Sequence, residues 1–187
     1  MTQSRTVDLV ITAPDPIGAQ IREKVGCRST LGVLTQLLAQ SHREVILAAP
    51  FLRAEQGVIG GGSLFDAIAA ALQRGVCVDV FSSGDGLQAV LASGLLATSP
   101  SRLRLYQPDA NVMDPHAIGS HAKICICDGY LAYVGSANVT GPGLTTNLEM
   151  GLLVEGEVVA QIRQVWTYMV EEGFFLKVNG ASTRSGH

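Results

Sequence analysis

The sequence predicts an α/β sandwich, with a mixed, mostly parallel sheet flanked by helices. Three observations lead there. The first half alternates short apolar runs with segments of helical period. The second half carries apolar runs joined by an Asp-Gly step, the signature of a tight hairpin. At 47% hydrophobic over 187 residues, the chain has enough apolar surface for a real core.

The elements follow in order. Residues 7–13 read as a first strand, closed by Pro14 and Pro16. Leu31, Leu34, Leu37 and Leu38 mark a helix over 30–40. The continuous apolar run at 44–51 suits a strand buried on both faces. After a Gly-rich loop, Ser63 is the expected N-cap of a helix, with Asp66 in its first turn and Gly75 at its end. A strand at 76–83, a helix at about 86–96 and a strand at 102–107 follow. Residues 120–129 and 131–138 are expected to pair as a hairpin about Asp128-Gly129, and 150–156 to add another strand. The last helix, 157–171, places Val158, Ile162, Val165, Trp166 and Met169 along one stripe. One domain over 1–178 is expected, with a flexible Gly/Ser/Thr-rich tail at 179–187. There is no internal repeat.

A net charge of -3 excludes recognition of polyanions by a broad basic surface, so any such binding rests on a local cluster. The N-terminal residues do not resemble a secretory signal, and no apolar stretch is long enough to span a bilayer. A soluble cytoplasmic location is therefore expected. Cys27, Cys77, Cys125 and Cys127 then read as reduced thiols.

The chemistry concentrates in residues 121–149. Side chains alternate along a strand, so His121 and Lys123 share a face and can converge on one small anion. An imidazole serves as nucleophile or as acid and base near neutral pH, and an adjacent ammonium holds a phosphoryl oxygen. Ser136 lies thirteen residues after Lys123, and Asn138 two further on. Their hydroxyl and amide both suit phosphate oxygens, and Gly135 permits close backbone approach. Glu149, eleven residues beyond Asn138, is placed to take the second N–H of a histidine and fix its tautomer.

The pattern of His121, Lys123 and Asp128, then Gly135, Ser136 and Asn138, then Glu149 before an apolar strand, resembles the signature of the phospholipase D superfamily. The resemblance implies a metal-independent phosphodiesterase that needs no cofactor. His121 would be the nucleophile (or the acid), forming a phosphohistidine. Lys123 and Asn138 would hold the non-bridging oxygens, Ser136 would support them, and Glu149 would orient His121. Asp128 belongs to the motif but sits at the turn, where a structural role is expected.

Most members of that superfamily carry the motif twice, and this chain carries it once. Neither His42 nor His116 has a lysine two residues later. One histidine cannot both attack phosphorus and protonate the leaving oxygen in one step. A two-fold homodimer is therefore expected, with the two copies of His121 facing each other, as in the superfamily's short single-motif bacterial nucleases. Residues 135–154 are also similar to the phospholipase-D-like component of DISARM phage-defence systems, which implies defence-complex subunits as partners.

The same residues admit other readings. His121 and Lys123 taken alone are solvated residues of a surface strand; Ser136, Asn138 and Glu149 in register favour a site. Cys125 and Cys127 fall on the face of His121, but a metal there would have Lys123 among its ligands, so buried thiols are the favoured reading. The Gly-rich 57–63 reads as a loop near the site rim rather than a phosphate cradle. Nucleic acid is the first-choice substrate, with Arg102, Arg104, Lys123 and Lys177, doubled in a dimer, as its expected positive groove. Lipid phosphodiesters come second, and a non-catalytic nucleic-acid-binding subunit of a defence complex third.

Overall fold

The computed structural model describes residues 7–53, 64–112 and 120–178. Its strands are β1 (Val7–Thr12), β2 (Arg28–Ser29), β3 (Glu44–Ala48), β4 (Cys77–Phe81), β5 (Leu103–Pro108), β6 (Lys123–Cys127), β7 (Leu131–Gly135), β8 (Glu149–Glu155) and β9 (Phe175–Val178). Its helices are α1 (Ile17–Val25), α2 (Thr30–Gln40), α3 (Leu64–Gln73), α4 (Gly84–Ala92), α5 (Leu95–Thr98), α6 (Gly141–Thr145) and α7 (Glu157–Glu171). The strands form one sheet in the order β2-β1-β8-β7-β6-β3-β4-β5-β9.

The expected sheet flanked by helices is present. Its parallel part is β3-β4-β5, the alternating half of the sequence, together with β1-β2. The other five pairings among the described residues are antiparallel, because β6, β7 and β8 follow one another as a meander and β1 and β9 close on them and on β5 in reverse. Strands β3 and β6 are buried almost throughout, as continuous apolar runs require.

Two apolar layers sandwich the sheet. On one face Leu34, Leu37, Leu38, Phe65, Ile68 and Leu72 of the helices pack on Val45, Leu47, Val80, Cys125 and Tyr133. On the other, α7 lays Val159 and Trp166 over Ile46, Phe81, Tyr106, Ile124 and Ile126. Phe81 stacks on Tyr106 with ring centroids 4.5 Å apart. The stripe of α7 differs from the expected one at two positions: Val158 and Val165 are exposed, while Val159 and Val170 join Ile162, Trp166 and Met169 in facing the sheet.

Several boundaries differ from the sequence reading. The helix expected at 86–96 is two, α4 and α5, separated by Gly94 in the left-handed conformation. β7 stops at Gly135 rather than at 138, so Ser136 to Asn138 lie on the segment that leaves the strand. Elements α1, β2, α6 and β9 were not anticipated. Ser63, His116, the 57–63 loop and the 179–187 tail lie outside the described residues. Among the described residues, no helix is long and apolar enough to cross a membrane.

Candidate active site

The site forms where β6 begins and β7 ends. Lys123 is the first residue of β6 and pairs with Gly135, the last of β7, which in turn pairs with Gly151 of β8. Both glycines face the Tyr133 side chain. A Cβ on Gly135 would come within 2.2 Å of the Tyr133 hydroxyl, and one on Gly151 within 2.5 Å of its ring. Glycine at 135 is thus a packing requirement: the buried Tyr133 ring fills the space under the site.

His121 precedes the strand and is exposed, while Lys123 is only 5% exposed. The two side chains still meet. Lys123 Nζ lies 2.8 Å from Nδ1 and 3.0 Å from Nε2 of His121, and donates to the His121 carbonyl oxygen at 2.9 Å. Burial lowers the Lys123 pKa, and the nearby Glu149 charge opposes that only in part.

Ser136 and Glu149 are joined on the neighbouring strand end. Ser136 Oγ donates to Glu149 Oε2 at 2.5 Å and accepts from the Met150 amide at 3.1 Å. Asn147 Nδ2 donates to Glu149 Oε1 at 3.3 Å. The carboxylate's hydrogen bonds therefore go to Ser136 and Asn147 rather than to His121. Asn147 carried no signal of its own in the sequence.

Asn138 is half-buried, and its Oδ1 has no hydrogen-bond partner. Oxygen and nitrogen of such an amide are assigned by context, so one end of this side chain is left with unmet bonding capacity. Its backbone is seated by α6: a Cβ on Gly143 would come within 2.4 Å of the Asn138 carbonyl oxygen. Thr140 caps that helix, its Oγ1 accepting from the Gly143 amide at 3.3 Å.

Asp128 lies at the opposite end of β6. It adopts φ 52°, beside Gly129 at φ 71°, in the turn that closes the hairpin. Its carboxylate accepts the backbone amides of His42 at 2.9 Å, Arg43 at 2.9 Å and Glu44 at 3.0 Å. Burial works to raise its pKa, but these three amides and the Arg43 charge outweigh it and hold the carboxyl below the usual range. Asp128 thus ties the hairpin to the start of β3.

Within one chain, Arg102, Arg104 and Lys177 stand apart from Lys123. Arg102 and Arg104 stand where β4 and β5 begin, the end of the sheet that carries Asp128. Arg104 forms a two-pronged ion pair with Asp79, at 2.5 Å and 2.8 Å. Arg163 does the same with Glu44, at 2.5 Å and 3.0 Å. Arg104, Arg163 and Glu44, with Arg43 and Asp128, line a separate cleft of about 500 Å³ in which acids and bases lie side by side. Lys177 lies opposite Tyr106 on the edge strand β9.

Cys125 and Cys127 are buried along β6, Cys127 at the end away from Lys123. Burial raises both thiols, Cys127 to about 11, so neither is a thiolate near neutral pH.

His121, in contact with the buried Lys123, stands at the sheet end where the Ser136–Glu149 pair and the unsatisfied Asn138 also lie, the residue types of the phospholipase D signature. The chain belongs to that superfamily: residues 34–170 match the family described as cardiolipin synthase, PLD-like domain. Over 58 residues it is 38% identical to the DISARM protein DrmC of Bacillus paralicheniformis, covering 31% of this chain and 24% of that protein. The fold matches a phospholipase D family member, Nuc, from Salmonella typhimurium, with TM-score 0.63, 17% identity and coverage of 92% of this chain and 97% of that one. It also matches phosphatidylserine synthase of Haemophilus influenzae, with TM-score 0.65, 12% identity and coverage of 92% and 40% respectively. These structural likenesses concern the fold.

Proposed function

We propose that the protein hydrolyses nucleic-acid phosphodiester bonds without a metal, through a phosphohistidine on His121 in a homodimeric site. The observation that carries this reading is the contact between the Lys123 ammonium and the His121 ring, with the uncommitted amide of Asn138 nearby. A nitrogen of His121 attacks phosphorus as the bond to the leaving oxygen breaks. Lys123 and Asn138 hold the non-bridging oxygens, where charge builds. The imidazole of a second copy gives its proton to the leaving oxygen. Water, deprotonated by that same ring, then attacks phosphorus and releases His121. Glu149 holds Ser136 in place and sets the local field at Lys123; swinging away from Asn147 would let it take the His121 N–H.

Lipid phosphodiesters are the second reading, favoured by the cardiolipin synthase family and the phosphatidylserine synthase fold. A non-catalytic role in a defence assembly is favoured by the local likeness to DrmC. One experiment separates the three. The protein is incubated in EDTA with single-stranded DNA, double-stranded DNA or phosphatidylcholine. DNA cleavage that is lost in His121→Ala, with folding unchanged, is the expected result. Cleavage only on adding metal contradicts the mechanism, lipid turnover alone supports the second reading, and DNA binding without turnover the third.

A further inference from the structure

The segment that leaves β3 runs past both halves of the site. β3 and β6 are antiparallel with Ala48 opposite Ile124, so the residues after Ala48 leave the sheet alongside those that precede Ile124, namely Lys123, Ala122 and His121. The segment then reaches the far side of the site: Leu52 bridges Val139, the residue after Asn138, and the Arg53 amide donates to the Val139 carbonyl at 2.9 Å. Phe51 lies between these two anchors and is 41% exposed, while the next side chain, Leu52, is 2% exposed. The backbone here is fixed. Ser82 Oγ donates to the carbonyls of Ala49 at 2.7 Å and Pro50 at 3.2 Å, and Ser83 Oγ to that of Pro50 at 2.6 Å.

Single exposed apolar residues are ordinary on protein surfaces. This one differs in being an aromatic ring held on a rigid turn at the rim of a phosphate-handling site, with an exposed arginine two residues on. The geometry points to Phe51 as a stacking platform for a base of a single-stranded nucleic acid, with Arg53 beside the adjoining phosphate. A ring face offers the same stacking to any base, and a duplex keeps its bases stacked on each other, so an unpaired strand is the substrate class that fits.

This inference rests on the nucleic-acid reading above, and binding tests it separately from cleavage. Fluorescence anisotropy is measured with a labelled single-stranded 12-mer, a matched abasic 12-mer and phosphatidylcholine vesicles. Base–aromatic stacking contributes about 1–3 kcal/mol per base, so Phe51→Ala is expected to weaken the ordinary strand by about tenfold and leave the abasic strand unchanged. Phe51→Trp should retain binding, and Arg53→Ala should weaken both strands alike. Equal binding by Phe51→Ala, an equal loss on both strands, a loss confined to vesicles, or no strand binding by the wild type overturns the assignment. If the strand is bound in this Phe51-dependent way but never cut, hydrolysis fails and stacking stands. If His121-dependent cleavage proceeds with Phe51→Ala indistinguishable from wild type, stacking fails and hydrolysis stands.

Discussion

Lys123 is charged at a cost, because burial disfavours an ammonium and the Glu149 carboxylate makes up only part of the loss. Its pKa therefore lies below that of an ordinary lysine, and rising pH removes its charge early. If Lys123 holds the phosphoryl oxygen, kcat/KM should fall on the alkaline side before ordinary lysines titrate. Lys123→Arg should move that limb to higher pH at a lower rate, because a guanidinium keeps its proton but fills the site differently. Lys123→Met should lower kcat by about 10²–10³-fold. A pH–rate profile checks this, and an unchanged alkaline limb in the arginine variant would count against the clamp. The types and spacing of His121, Lys123, Ser136, Asn138 and Glu149 were legible in the sequence as a motif; strand alternation was the wrong reason, since His121 precedes β6 and Ser136 and Asn138 follow β7. The actual partners were not: hydrogen bonds from Asn147 and Ser136 to Glu149 depend on how residues 136–149 fold back, which no local periodicity encodes.

At the scale of elements, the hairpin β6–β7 was readable from its Asp-Gly step, and so was the buried character of β3. The short elements α6 and β9 were not, because five and four residues carry too little period to register. Within one chain the basic residues stand apart for a topological reason: a parallel β4–β5 pair puts Arg102 and Arg104 at the end opposite to Lys123, which sequence position does not reveal. Asp128 links the hairpin to β3 through three backbone amides. Asp128→Ala is expected to destabilise the fold by about 3 kcal/mol, since bonds to a charged acceptor exceed neutral ones. The folded-state pKa is depressed, so this stabilisation is present above the ordinary aspartate pKa and disappears as pH falls through the depressed value. Urea unfolding at a series of acidic pH values should show the difference between wild type and variant shrinking toward low pH. A constant difference would mean the charge is not its source.

For the whole molecule, the α/β sandwich follows from the alternation of elements, but sheet order was beyond reach, since β1 pairs with β8 across nearly the full chain and β9 returns to β5. In the proposed reaction, which uses two imidazoles, a single motif makes assembly part of the chemistry. Sedimentation should give a dimer, and activity should fall on dilution in step with dissociation. Subunits of His121→Ala mixed with wild type should form dimers without normal turnover; full activity per wild-type subunit would mean each site is complete by itself. The most direct test is to quench the metal-free reaction on single-stranded DNA within a turnover and weigh the peptide containing His121. A phosphoryl-linked nucleotide on that peptide, absent from His121→Ala, is predicted. An unmodified peptide during rapid turnover, with His121→Ala still active, would contradict it.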